Sequence, residues 1–242
     1  RRDLDTLSIN WLDAHGNDIF LLAASGTNAR GKRRIYRLPR IDAAVVPVPG
    51  PRDGSVSAFC IADNGWMYAT LEGNPATDSV YLSTDAGNSW TSVCHKFSDR
   101  SGKYALRLDP LQQLWSFDQW SLSRWDPGTQ QWLRKDGYGN TSGASGWYFF
   151  RPNGDVVAGT GSRIDLLPVS GAPTTTLYVS TFPPYPTIEF WMDRNDALLI
   201  SDRVGDALQY KQVYRSTSDQ GKSWIVIDSS RNDYMQFLGE SD

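Results

Sequence analysis

Ser83-Thr84-Asp85-Ala86-Gly87-Asn88-Ser89-Trp90 recurs, with the same residue at four of eight positions, as Thr217-Ser218-Asp219-Gln220-Gly221-Lys222-Ser223-Trp224. Both copies read Ser/Thr-x-Asp-x-Gly-x-Ser-Trp, and one motif used twice signals a repeat architecture. Each residue type has a task in a tight turn. The Asp carboxylate accepts backbone N–H bonds inside the loop. The Gly supplies a left-handed conformation. The Ser or Thr hydroxyl bonds across the turn, and the Trp packs down on the blade. Asp85 and Asp219 stand 134 residues apart, three periods of about 45.

Between and around the two copies, strand, tight turn, strand recurs five times. The turns are Asp13-Ala14-His15-Gly16, Ala62-Asp63-Asn64-Gly65, Asp109-Pro110-Leu111-Gln112, Arg151-Pro152-Asn153-Gly154 and Asp193-Arg194-Asn195-Asp196. Their last residues are spaced by 49, 47, 42 and 42. Asp, Asn, Gly and Pro suit such turns because they tolerate positive φ or preset negative φ. Each turn is followed by an apolar run of strand length, such as Trp66-Met67-Tyr68-Ala69 or Val156-Val157-Ala158. A second pair of strands completes each repeat, as in Val80-Tyr81-Leu82-Ser83 and Ser92-Val93-Cys94. No segment carries a sustained helical period. Four short strands per ~45 residues is the period of a propeller blade.

The two eight-residue stretches resemble the Asp-box of the sialidase-like (BNR-repeat) β-propellers. The expected fold is therefore all-β: a β-propeller of five four-stranded blades with Asp-box turns. One domain is expected over 1–242, with blades at 5–49, 54–97, 103–137, 146–181 and 187–230. Residues 231–242 read as a closing strand or tail, with the start of a sixth blade as the other option. Family resemblance places Asp-boxes on the face opposite the active site. Ser83, Asp85, Gly87, Trp90, Thr217, Asp219, Gly221 and Trp224 are accordingly assigned to structure and not to chemistry. A degenerate relative, Arg124-Trp125-Asp126-Pro127-Gly128-Thr129-Gln130-Gln131-Trp132, keeps the Asp, Gly and Trp with one inserted residue.

Composition bounds the function. The net charge of −3 gives no strong basic field for a phosphate backbone, so nucleic acid is not an expected partner. The one basic cluster, Arg30-Gly31-Lys32-Arg33-Arg34, reads as a solvated loop. No run approaches the ~20 apolar residues of a membrane span. The two cysteines, Cys60 and Cys94, fit neither a disulfide scaffold nor a zinc site and read as buried free thiols. No metal and no cofactor is expected. Arg1 in first position is compatible with a removed export signal, and a periplasmic or extracellular place is the favoured reading.

The short turns all fall at one end of the blades, and the long, varied segments at the other. Loops on a rigid scaffold are where binding resides. The candidate binding face carries Arg33, Glu72, Trp120, Tyr138, Phe182, Tyr185, Arg203 and Tyr210. Aromatic and Arg side chains suit a protein partner first and a glycan second. The expected function is a non-catalytic module binding a protein, of inhibitor, immunity or assembly-factor type. The alternative is a sialidase-like glycosidase or a derived lectin. Sialidases carry Arg-Ile-Pro in the first blade, and Arg37-Leu38-Pro39 resembles it. That reading implies Arg37 as a carboxylate clamp with Asp78 as acid/base. It also implies Tyr234 as nucleophile beside Glu189. Arg163, Arg203 and Arg215 are the further clamp candidates. The simpler account makes Tyr36-Arg37-Leu38-Pro39 the third strand of a blade.

Overall fold

The computed structural model describes residues 7–25, 32–40, 43–72, 79–95, 105–117, 121–136, 148–159, 162–180, 188–193, 195–205 and 210–230. The described residues form five four-stranded antiparallel sheets with no helix among them. The first holds β1 (Leu7–His15), β2 (Asp18–Ser25), β3 (Arg33–Leu38) and β4 (Val46–Pro47). The second holds β5 (Ser55–Ile61), β6 (Met67–Glu72), β7 (Ser79–Ser83) and β8 (Thr91–His95). The third holds β9 (Ala105–Leu108), β10 (Leu114–Phe117), β11 (Ser121–Asp126) and β12 (Gln131–Asp136). The fourth holds β13 (Tyr148–Phe150), β14 (Val156–Gly159), β15 (Arg163–Leu167) and β16 (Thr175–Val179). The fifth holds β17 (Glu189–Met192), β18 (Leu198–Gly205), β19 (Tyr210–Thr217) and β20 (Ile225–Ser230). Each sheet is an up-and-down meander in chain order, as a propeller blade is. The chain divides into two compact units, Arg1–Asp136 with three sheets and Gly137–Asp242 with two.

The turn residues make the meanders. Gly16, Gly65, Gln112, Gly154 and Asp196 all have positive φ, between 60° and 84°. In four of the five turns the amide of the last residue donates to the carbonyl three residues back, as Gly65 N does to Ala62 O at 2.8 Å. The flanking amide of the first residue closes a wider ring, as Ala62 N does on Trp66 O at 2.8 Å. This is a three-residue hairpin loop whose last residue must be left-handed. Carboxylates cap it: Asp109 Oδ1 accepts from Leu111 N and Gln113 N, and Asp193 Oδ1 accepts from Asn195 N and Ala197 N.

Two expectations shift. β1 runs on to His15, so Asp13 and Ala14 are strand residues and the first loop is Gly16-Asn17. A two-residue hairpin with Gly first matches the strand twist, so no longer turn is needed. Arg203 and Tyr210, assigned above to the loop face, are strand residues, and the ladder is paired as far as Gly205 with Tyr210. Val204, Tyr210 and Val213 are strand formers and extend the ladder.

The core is layered between successive sheets within each unit. Phe20, Leu22 and Ile35 of the first sheet pack on Val56, Phe59, Met67 and Ala69 of the second. Ala58, Cys60, Val80 and Cys94 of the second pack on Leu106 and Leu114 of the third. Val157, Ile164 and Leu177 of the fourth pack on Phe190, Leu198 and Ile200 of the fifth. An inner strand such as β14 is buried on both faces, so Val156-Val157-Ala158 is an unbroken apolar run. Outer β16 reads Thr-Thr-Leu-Tyr-Val with Leu177 its one buried residue.

Candidate functional site

The two copies of the repeated turn have one geometry. Ser83 Oγ donates to Asp85 Oδ1 at 2.8 Å and accepts from Gly87 N at 2.8 Å. Thr217 Oγ1 donates to Asp219 Oδ1 at 2.7 Å and accepts from Gly221 N at 3.0 Å. Ser89 N and Oγ donate to Asp85, at 2.8 and 2.6 Å; Ser223 N and Oγ donate to Asp219, at 2.9 and 2.6 Å. Ala86, Gly87, Gln220 and Gly221 have φ of 56°, 89°, 62° and 81°. These bonds, the serine hydroxyl's first, hold both carboxyls at about 2, below their ordinary value. All of this chemistry is spent inside the turn.

Each turn also reaches the preceding sheet. Trp90 Nε1 donates to Pro49 O at 2.9 Å, 41 residues earlier in the chain. A Cβ on Gly87 would stand 2.1 Å from Val48 Cγ1. Trp224 meets the Tyr178 ring edge-on at 5.1 Å, and a Cβ on Gly221 would stand 2.8 Å from Leu177 O. The degenerate copy repeats the pattern: Asp126 accepts from Gly128 N and Thr129 Oγ1, and Trp132 packs against the apolar cluster that holds Cys94 of the second sheet. The tryptophan does not pack down on its own blade alone, as expected; it docks the turn on its neighbour's outer edge.

The hairpin turns join neighbours as well. Asp13 Oδ2 accepts from Ile61 N at 3.0 Å, and Asp63 N donates to Gln112 Oε1 at 2.9 Å. In the second unit Arg151 Nη2 reaches Asp196 Oδ2 at 2.8 Å. Burial raises the Asp13 carboxyl, against the Ala14 and Ile61 amides and Arg107, which lower it. Arg107 lies 3.3 Å from the Trp11 ring centroid.

The arginines named as clamp candidates are engaged by this chain. Arg37 Nη2 pairs with Asp18 Oδ2 at 2.6 Å, at the short-turn end of its sheet. Glu72 and Ser79 bracket the opposite end of theirs. Arg163 Nε reaches the fully buried Asp165 at 2.7 Å, which also accepts from Thr176 Oγ1. Arg215 Nη1 donates to Tyr178 OH at 2.7 Å, and that hydroxyl donates to buried Asp202 at 2.8 Å. Ser180 Oγ and Arg203 N also donate to Asp202, each at 2.7 Å. Burial first, then the Asp202 carboxylate, pushes the Tyr178 hydroxyl up. Sequence reading missed Tyr178, Ser180 and Asp202; the fourth and fifth sheets bring them together. Glu189 opens β17 and pairs with Ser201, half-buried.

At the loop end, Arg33 N donates to Ser55 Oγ at 3.1 Å, and Ser55 pairs with Glu72 in the ladder. Arg203 and Tyr210 share the β18–β19 hairpin. Asp78, Trp120, Tyr138, Phe182, Tyr185 and Tyr234 lie outside the described residues. Among the described residues no group of three or more His, Cys, Asp or Glu could hold a metal, and no helix is long and apolar enough to cross a membrane.

Described residues of the first unit line concavities. A groove of about 360 Å³ runs between the first two sheets, lined by Lys32, Arg34, Arg52, Asp53 and the Pro47–Gly50 segment over Ile35 and Val56. Lys32 pairs with Asp53 and holds its carboxyl below the usual range, with Arg34 adding to the effect. A cleft of about 420 Å³ at the short-turn end of the second and third sheets is lined by Tyr68, Gln113, Arg124 and Trp125 among others. There Arg124 Nη1 donates to Gln113 Oε1 at 3.0 Å.

No family model and no curated protein sequence matches the chain. Solved β-propellers match it in structure. A structure of YCF48 bound to a D1 peptide is similar at TM-score 0.58 and 13% identity, over 91% of this chain and 66% of that one. A TolB-like protein of Agrobacterium tumefaciens is similar at TM-score 0.55 and 12% identity, over 93% and 82%. A catalytically inactive virginiamycin B lyase of Staphylococcus aureus, with quinupristin, is similar at TM-score 0.56 and 10% identity, over 91% and 84%. The chain spans just under two thirds of the YCF48 chain. At these identities the likeness carries the fold alone: this is a β-propeller fold.

Proposed function

We propose that this chain is a non-catalytic binding module, a single propeller domain over 1–242 that presents its loop-rich face to a protein partner. The observation that carries this reading is the open groove at Lys32, Arg34 and Arg52, exposed cationic chemistry in a chain of net charge −3. By contrast, three of the four arginines a sialidase reading would use as clamps are engaged by this chain: Arg37 by Asp18, Arg163 by Asp165, Arg215 by Tyr178. A clamp needs a free guanidinium edge to take a substrate carboxylate. The structural relative bound to a D1 peptide is a precedent for peptide binding on this fold.

The matched geometry of the turns at Asp85 and Asp219 favours membership of the Asp-box, sialidase-like superfamily. A sugar-binding alternative rests on one observation, the aromatic and polar cleft at Tyr68, Trp125 and Arg124. The test is capture from the native source with the intact protein, read by mass spectrometry against an Arg33→Glu, Tyr138→Ala, Tyr185→Ala triple variant. A stoichiometric protein lost with the variant is the expected result. No partner protein, together with glycan binding lost on Trp125→Ala, would replace it with the lectin reading.

A further inference from the structure

We propose that the groove between the first two sheets takes an extended, carboxylate-rich segment of the partner, gripped by side chains and not by strand addition. This rests on the binding-module reading and names the chemistry of the partner.

Charge supplies the first argument. Three cations and one carboxylate line the groove, and the carboxylate, Asp53, is already paired with Lys32. Arg34 and Arg52 are exposed guanidinium groups; among the described residues neither forms an ion pair, and Arg34 acts on Asp53 only through its field. Arg52 stacks its guanidinium carbon 5.6 Å from the Tyr81 ring centroid. Stacking occupies the face of a guanidinium and leaves its N–H edge to form paired bonds to a carboxylate. Burial supplies the second. Ile35, Val48 and Val56 are buried along the groove, so it offers an apolar floor under a charged rim. A segment alternating Asp or Glu with aliphatic residues meets both.

The backbone of the wall excludes strand addition. Pro47, Pro49 and Pro51 have no N–H to donate. Between them, Val48 N already donates to Ile35 O at 2.9 Å, and Pro49 O accepts from the Trp90 indole. A partner strand would find too few free groups for a ladder.

The test is fluorescence anisotropy of the intact protein with a labelled peptide of alternating Glu and Leu. Peptides with Lys or with Ser in place of Glu are the comparison. An Arg34→Glu, Arg52→Glu variant is measured against Lys211→Glu, Lys222→Glu, which makes the same charge change in the second unit. We expect saturable binding of the Glu peptide that weakens with salt. We also expect a loss of about tenfold or more in the groove variant, with little in the control. Equal weakening in both variants, or equal binding of the Lys peptide, would overturn the assignment. So would tighter binding of heparin than of the peptide at the same groove. If the peptide fails while a captured partner cross-links elsewhere, the groove is wrong and the binding-module reading stands. If no protein is captured at all, both fall.

Discussion

Asp85 and Asp219, one exposed and one half-buried, show how a carboxylate near the surface can be fully committed. Each accepts three or more bonds from its own turn, and each is held at about 2. A depressed folded value contributes stability that is fully present above the unfolded value near 4 and is lost as pH falls through the folded one. We therefore expect the denaturation midpoint of the native chain to fall between pH 4 and 2 more steeply than that of an Asp85→Asn, Asp219→Asn variant. Parallel curves over that window would contradict the assignment. The glycine of the turn is constrained twice, by φ of +89° and by Val48. Gly171 has φ of +81° with nothing within 4 Å of an added Cβ. Gly87→Ala is thus expected to cost about 1–3 kcal/mol more than Gly171→Ala. Adding Val48→Ala should recover part of it, which a denaturation series on the three variants measures.

The turn and the outer strand it docks on are the repeating unit of adhesion. Trp90 on Pro49, Trp132 against the cluster around Cys94 and Trp224 on Tyr178 fasten each sheet to its predecessor inside a unit. The bulges serve the same edge. In both sheets with a complete motif the ladder slips three residues before its Ser or Thr, at Val80/Tyr81 and at Tyr214/Arg215. A bulge adds local twist and bends the strand. The buried thiols report on this packing. Burial pushes the Cys94 thiol up to about 12 and drives Cys60 higher still. Neither is expected to react with a thiol reagent at pH 8 in the native protein. Trp132→Ala removes the cover from Cys94 alone, so one thiol of the two should become reactive. Reaction of both would mean that the sheets separate, and reaction of neither that the indole is not the cover.

For the molecule as a whole, the paired state of Arg37, Arg163 and Arg215 predicts no turnover of a fluorogenic sialoside by the intact protein. Turnover that disappears in Arg37→Ala would reverse the functional reading. Much of the fold was legible along the chain because propeller blades are local. Strand, turn and return lie within ~45 residues. The left-handed sites of the hairpin turns are Gly, Asp or Gln, as at Gly65, Gly154, Asp196 and Gln112. The first turn misread by two residues shows the limit: Asp13 is as good a turn former as a capping strand residue, and only the ladder from Ala14 to Ile19 decides. The groove was half legible. Its basic residues stood out as a cluster, but a cluster of charges is a solvated loop until a wall stands opposite. That wall, Pro47 to Gly54, belongs to a segment with no visible tie to Arg34. The sheets, their order and the geometry of the repeated turns can be read along the chain, because those depend on residues a few positions apart. The tertiary structure alone decided which edge Trp90, Trp132 and Trp224 grip, and that Tyr178, Asp202 and Arg215 meet. Those contacts join residues 24 to 46 positions apart, and their partners are set by how sheets stack and not by any local preference.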